Sequence, residues 1–286
     1  MKQLTPEPGW PDDWKLAHFY DSFEIHDEMP RDSKALGHAY SYLNRRQHTL
    51  ELIAKIAPAG SAVLDVAGGH GNFTLSLAEM GYEVTWNDLR ADLAQYVQMK
   101  HEAGTVHYAP GNVFDLSFEN RFDVVLITEI IEHVAHPDQF LAKVGGFVRP
   151  GGHIVMTTPN GGYFRNRLPK FSEWSDPSVF EKHQFKPGAD GHIFLMHRDE
   201  IAGLARQAGL EVVETRLYTN MVTNGWAKTD VFLHMLPRAG VTSLEALTQR
   251  LPLAIRTKIC TAMGVLLRRP AAATALTDTA VAPTVP

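Results

Sequence analysis

The chain has 286 residues, 44% of them hydrophobic and 21% charged, with a formal net charge of −5 and a pI of about 6.3. This is the composition of an ordinary globular protein, and the length allows one large domain with appendages or two small domains; the acidic balance argues against gripping a long phosphate backbone, so no DNA partner is expected. A single cysteine, Cys260, excludes an intrachain disulfide; no apolar run reaches the roughly 18 residues of a membrane span, and the opening "MKQLTPEPGWPDDW" lacks the core of a secretory signal, so a cytoplasmic location is expected.

Residues 1–36 carry Trp10, Trp14, Phe19, Tyr20 and Phe23 among polar residues, too many large apolar groups for a solvated tail; they predict a cap on the main domain. Leu43, Leu50, Ile53 and Ile56 recur at helical spacing and predict a helix over 37–57, ended by Pro58 and Gly60. An alternation follows. Strands are predicted at 62–67, 83–88, 106–111, 121–129 and 151–159, and helices at 72–80, 90–103 and 137–148. This order predicts an α/β fold, a doubly wound, mostly parallel sheet with helices on both faces. Residues 160–196 are rich in Gly, Pro and aromatics and read as a functional loop. A helix at 198–209 and a strand at 211–218 close the domain at 37–218, a helical extension is expected over 219–270, and the Thr- and Pro-rich end, 271–286, reads as disordered.

The turn "VLDVAGGHGNF" (63–73) joins the first strand to the first helix. Gly68, Gly69 and Gly71 permit a sharp turn and close approach of a ligand at the carboxyl ends of the strands. Asp88 ends the second strand, 23 residues after Asp65, where a carboxylate can accept from both hydroxyls of a ribose. The glycine spacing is neither the dinucleotide fingerprint nor a P-loop. Asp65, just before the glycines, suits the amino group of an aminoacyl ligand. Ribose plus an aminoacyl end describes S-adenosylmethionine.

On these residues the chain resembles the class I S-adenosylmethionine-dependent methyltransferases. "LDVAGGHGNF" is similar to their first motif, "VTWND" to the second, "APGNVFDLSFENRFDVV" to the third and fourth, and "LAKVGGFVRPGGHIVMTTPN" to the helix, turn and strand that follow. The resemblance covers roughly 40–215 and implies a seven-stranded Rossmann-like sheet. It implies cofactor contacts at Asp65, Ala67, Gly68, Gly69, Gly71, Asp88, Leu89, Asn112 (adenine amine), Val113 (adenine face), Thr128 and Arg46, with Tyr40 and Tyr42 as further candidates. Ala67 stands where the family carries its first glycine.

Glu129, Glu132 and His133 follow the fourth strand. If that segment is helical, positions i, i+3 and i+4 share one face and the three side chains converge. Three readings are open. Glu132 and His133 brace the loop; His133 takes a proton from a substrate hydroxyl, with Glu132 beside it; or Glu129, Glu132 and His133 hold a divalent metal such as Mg²⁺ or Mn²⁺. For the metal, the string is similar to motifs of small-RNA 2′-O-methyltransferases and ubiquinone-biosynthesis O-methyltransferases. The former resemblance implies His192, in "DGHIFLMHRDEI", as the further ligand, ahead of His183 and His197.

A base or metal there suits a hydroxyl, so O-methylation of a small molecule or glycan is expected. The 160–196 loop, with Tyr163, Phe164, Arg165, Arg167, Lys170, Phe171 and Trp174, suits an aromatic, lipidic or anionic acceptor. RNA 2′-O-methylation, a non-catalytic S-adenosylmethionine-binding module and a nicotinamide oxidoreductase are the competing readings. The C-terminal stretch 238–270 sets Arg238, Arg250, Arg256, Lys258, Arg268 and Arg269 against Glu245 alone. Its 251–269 part reads as an amphipathic basic helix that packs on the domain or a partner helix or, less favoured, touches an anionic membrane surface.

Overall fold

The computed structural model describes residues 1–30, 33–184, 191–225 and 229–271. All of the expected tail except Ala271 lies outside them, as do residues 185–190 of the predicted acceptor loop. Two helices lead the chain, α1 (Asp12–Glu24) and α2 (Ser33–Ile56). Then β1 (Ala62–Val66), α3 (Asn72–Glu79), β2 (Glu83–Trp86), α4 (Asp92–Lys100), β3 (Thr105–Tyr108), β4 (Phe122–Thr128), α5 (Pro137–Phe147) and β5 (Val148–Pro159) alternate. After the loop come α6 (Arg198–Gln207), β6 (Glu211–Asn220), α7 (Asp230–Met235), α8 (Arg238–Gln249), α9 (Leu253–Ile259) and β7 (Cys260–Arg268).

The seven strands form one sheet in the order β3-β2-β1-β4-β5-β7-β6. The first five run parallel, and β7 is antiparallel to both β5 and β6. Successive strand residues point to opposite faces, so the apolar runs serve two cores. Val63, Val124, Leu126 and Val155 meet Leu52 and Ile53 of α2 and Leu77 of α3. Leu64, Val125, Ile127 and Ile154 meet Leu141 and Val144 of α5 and Leu204 of α6. Strands covered on both faces need such continuous apolar sequence.

The helical extension expected over 219–270 requires a correction. Three helices occupy part of it, but 260–268 is β7, inserted between β5 and β6. Val265, Leu266 and Leu267 are fully buried there. A Met-Gly-Val-Leu-Leu run has little intrinsic strand preference; its burial between two strands overrides that preference. Of the large apolar residues beyond Pro252 in the stretch read as amphipathic, Leu253 and Ile255 of α9 are the exposed ones. Among the described residues no helix is long and apolar enough to cross a membrane.

The first helix lies against the β2–α4 edge. Trp10, Trp14 and Ala17 pack with Trp86, Tyr96 and Val97, and the Trp10 ring meets those of Trp14 and Tyr96 edge-on at 5.9 Å. Beneath these rings lies a buried polar chain. Lys100 Nζ donates to Asp21 Oδ2 (2.8 Å) and Asn72 Oδ1 (2.7 Å), the Tyr96 hydroxyl donates to Asp21 Oδ2 (2.7 Å), and Asn72 Nδ2 donates to Glu24 Oε2 (2.8 Å). Asn72 opens α3, so this chain links α1 to the glycine turn.

Candidate functional site

The glycine turn after β1 is held by its own backbone and by the end of β2. Gly68 N–H donates to Asn87 O (2.8 Å), and Gly69 N–H donates to Asp88 Oδ2 (2.9 Å). A Cβ at Gly68 would lie 2.8 Å from the Trp86 ring, and one at Gly71, whose φ is +76°, would lie 2.5 Å from Val97. Ala67 has φ +51°, in the left-handed region where the missing family glycine carries no steric cost.

Asp65 is buried. The Thr74 hydroxyl donates to its Oδ2 (2.6 Å), while Oδ1 has no partner among the described residues. Burial raises its pKa to about 7, with the Asp88 charge adding to the shift. Asp88 Oδ1 accepts from the Arg90 backbone N–H (2.9 Å) and Nε (3.2 Å), so this carboxylate braces the turn. A cavity of about 360 Å³ opens beside the turn; Ala67, Leu89, Asn112 and Val113 all line it, with Phe114 and Ile130. Asn112 Oδ1 also accepts from Phe114 N–H (3.2 Å).

Arg46 donates to the Ser76 hydroxyl (3.1 Å from Nη2). Its neighbour Arg45 instead reaches Glu129 Oε2 (3.3 Å) and stands 5.1 Å above the Tyr42 ring. Tyr40 packs in a separate cluster with Leu36 and Leu233. Thr128 ends β4 opposite Thr157.

The helical convergence of Glu129, Glu132 and His133 does not form. Glu129 leaves the strand at φ +53°, and only a short 3-10 turn, Ile131–His133, follows. Glu129 therefore points elsewhere, accepting from the Thr157 hydroxyl (2.9 Å) and pairing with Arg45. Glu132, His133 and His192 do come together, each offering a ligand atom within 4.8 Å of the others. Glu132 is fully buried; its Oε2 accepts from the Thr158 hydroxyl (3.0 Å), and Oε1 has no partner among the described residues. Burial, then the Glu129 charge, raises its pKa well above the carboxylate range. A buried acid with an orphaned oxygen beside two imidazoles is a donor set that fits a cation.

His133 Nδ1 lies 3.2 Å from Gly191 O. A carbonyl can only accept, so Nδ1 carries a proton, which in the neutral ring leaves the lone pair on Nε2. The His133 and His192 ring centroids are 4.8 Å apart. The weaker candidates lie outside the trio: His183 ends an exposed 3-10 turn, and His197 caps α6. Two further cavities, of about 330 and 470 Å³, share Ser41, Glu129, His192 and Asn224. Tyr163, Arg165 and Arg167 line the first, and His38, Tyr42 and Arg45 the second. Sequence reasoning missed Arg45, Thr158 and Asn224. Arg45 shares a helix face with the buried Thr49 and Leu52, four and seven residues on, which is the signal that could have found it; no local signal marks Asn224.

A parallel sheet with an antiparallel β7 between β5 and β6, a glycine turn after β1 and an acid ending β2 together define the S-adenosylmethionine-dependent methyltransferase architecture. A model of the methyltransferase domain family matches residues 36–215, and the chain belongs to that family. Similar curated proteins include the ubiquinone biosynthesis O-methyltransferases of Xanthomonas axonopodis pv. citri (35% identical, 37% of this chain, 46% of the relative) and Aromatoleum aromaticum (32%, 54% and 66%). The chain thus spans between under half and about two thirds of the length of these relatives. A solved S-adenosylmethionine-dependent methyltransferase from Mesorhizobium loti shares the fold, at TM-score 0.53 and 14% identity over 80% of this chain and 98% of that one. The residues present fit the cofactor the family implies: a turn too tight for Cβ atoms, an apolar cavity against it, and an orphaned Asp65 oxygen suited to a cationic end.

Proposed function

We propose that the protein methylates a hydroxyl on a small molecule or glycan. The observation that supports this above all is Nε2 of His133 beside the buried Glu132 carboxyl, just past the carboxyl end of β4, the strand that pairs with β1. The name of the curated relatives, O-methyltransferase, points the same way. When bound, S-adenosylmethionine would supply the methyl group to the hydroxyl oxygen, with the bonding pair of its S–C bond left on sulfur. The chain's own task is alignment and proton removal. The glycine turn and Asp88 orient the donor side. Nε2 of His133 accepts the hydroxyl proton, and the Gly191 carbonyl that accepts from Nδ1 orients the ring and supports the imidazolium that results, with Glu132 beside it.

The same three side chains favour a second version. A divalent ion such as Mg²⁺ or Mn²⁺ held by Glu132, His133 and His192 would lower the pKa of the acceptor hydroxyl. In that version Glu129, which lines the same cavities as His192, orients Arg45 and is not a ligand.

The test is transfer of labelled methyl from S-adenosylmethionine into small-molecule extracts, with and without chelation. Wild-type transfer that His133→Ala abolishes supports the reading. Loss on chelation with recovery in Mg²⁺ or Mn²⁺ selects the metal version, and insensitivity to chelation selects the base. Transfer undiminished in both His133→Ala and Glu132→Gln would contradict both, and transfer into RNA alone would reassign the acceptor.

A further inference from the structure

The cavity of about 330 Å³ beside the trio has a polarity pattern that the methyl-transfer chemistry does not require. Its walls are largely apolar, from Pro159, Leu168, Leu195 and Ala262. Against them stand three polar side chains with unused capacity. The Tyr163 hydroxyl belongs to a side chain only 8% exposed and has no hydrogen-bond partner among the described residues. Asn224 Nδ2 donates to Thr261 Oγ1 (3.0 Å), and that hydroxyl spends its own proton on Thr219 O (2.9 Å). This order fixes the Asn224 amide with Oδ1 as the free atom, and Oδ1 is buried without a partner among the described residues.

The third is Arg165. Other cations around this cavity are committed: Arg167 Nη1 donates to Asn166 O (3.0 Å), Lys170 pairs with Asp199 (3.2 Å), and Arg45 pairs with Glu129 (3.3 Å). Among the described residues no acid forms an ion pair with Arg165. Its guanidinium is near enough to the Tyr163 phenol to oppose the rise in pKa that burial imposes there.

We propose that this cavity is an acceptor subsite for an oxyanion, and that the acceptor is a hydroxylated compound bearing a carboxylate or phosphate. The proposal rests on the hydroxyl-methylation reading above. Arg165 and the Tyr163 hydroxyl are convergent donors, the pairing that carboxylates and phosphates satisfy with charge-assisted bonds. Asn224 Oδ1 is an acceptor lining the same cavity as His192 and Glu129, and it accepts a hydrogen bond from the substrate's hydroxyl end before the proton passes to His133. The apolar walls hold the body between. Leaving two buried polar atoms unpaired is costly, so a neutral acceptor that reaches neither would bind poorly.

The experiment is calorimetric binding of a matched set: 3-hydroxybenzoate, 3-hydroxyphenyl phosphate and the neutral 3-hydroxybenzyl alcohol. Wild-type protein is expected to bind at least one anion about tenfold or more tighter than the alcohol, and the tighter anion names the source of the oxyanion. Arg165→Gln should reduce that preference to within about twofold, Arg165→Lys should keep part of it, and Arg167→Gln should leave it unchanged. Equal binding of anions and alcohol by wild type, or an anion preference that survives Arg165→Gln, overturns the proposal. The readout is binding, so the two readings separate. An Arg165-dependent preference without methyl transfer to any acceptor upholds the subsite against the activity. Methyl transfer to neutral acceptors that is indifferent to Arg165→Gln does the reverse.

Discussion

Removing the Lys100 ammonium, as in Lys100→Met, leaves Asp21 charged and buried with, among the described residues, the Tyr96 hydroxyl as the remaining side-chain donor to it. Lys100 and Asp21 are almost fully shielded from water, at 1% and 2% exposure, so solvent does not screen the loss. Desolvation lowers the Lys100 pKa while Asp21 opposes it, the balance expected of a buried pair. Breaking one side of such a pair costs about 3–5 kcal/mol, whereas replacing both sides with apolar groups is often near neutral. At roughly 2–4 °C per kcal/mol for a domain of about this size, Lys100→Met should melt roughly 6–20 °C below wild type. Asp21→Leu alone should also destabilise, and the Asp21→Leu/Lys100→Met pair should recover much of the loss. Urea unfolding of all four proteins gives the coupling directly. Single effects that add within about 0.5 kcal/mol, or a Lys100→Met cost below about 1 kcal/mol, would refute the claim that this pair seats α1 on the glycine turn. Because Lys100 also holds Asn72 at the start of α3, Lys100→Met should weaken S-adenosylmethionine binding as well.

Ala67→Gly removes a left-handed alanine, which costs about 1–2 kcal/mol, but adds unfolded-state entropy worth about 0.4–1 kcal/mol. A denaturation midpoint unchanged or raised, with cofactor affinity equal or higher by calorimetry, is expected; a loss above about 1 kcal/mol would contradict the strain reading. Asp65 has a folded-state pKa raised to about 7. Its folded state therefore holds a proton that the unfolded state has released, so its contribution is greatest below the ordinary carboxylate range and is lost as pH rises toward about 7. Urea unfolding at about pH 5 and about pH 8 should show wild type losing more stability than Asp65→Asn over that interval. Leu266→Ala, in the middle of β7, should cost about 2–5 kcal/mol, as a fully buried sheet residue does and an exposed helix residue does not.

The fold was legible where the signals are local. Gly68, Gly69 and Gly71 mark a turn because no Cβ fits at two of them, and apolar runs such as "FDVVLI" mark strands buried on both faces. Residues 260–268 were illegible because their strand state comes from neighbours far along the chain, β5 and β6, and not from their own propensities. The site divides the same way. Glu129, Glu132 and His133 are adjacent in sequence, but one left-handed residue at Glu129 redirects the chain and separates the first from the other two. Arg45 and Arg46 differ by one position, which on a helix is about 100° of rotation, enough to aim one into the cleft and the other at Ser76. His192 came from resemblance to a motif; what brings it to Glu132 is the pairing of Ile193 N–H with Glu132 O (2.7 Å), which sequence spacing does not reveal.

The central claim, that the turn from Asp65 to Gly71 with Asp88 is an S-adenosylmethionine site, is tested most directly by calorimetric titration of the protein and its Asp88→Ala variant with S-adenosylmethionine and with NAD. Saturable binding of S-adenosylmethionine by wild type, weakened at least about tenfold in the variant, with no binding of NAD, is the expected result. Binding of NAD alone, or S-adenosylmethionine binding that the loss of Asp88 leaves unchanged, would contradict it.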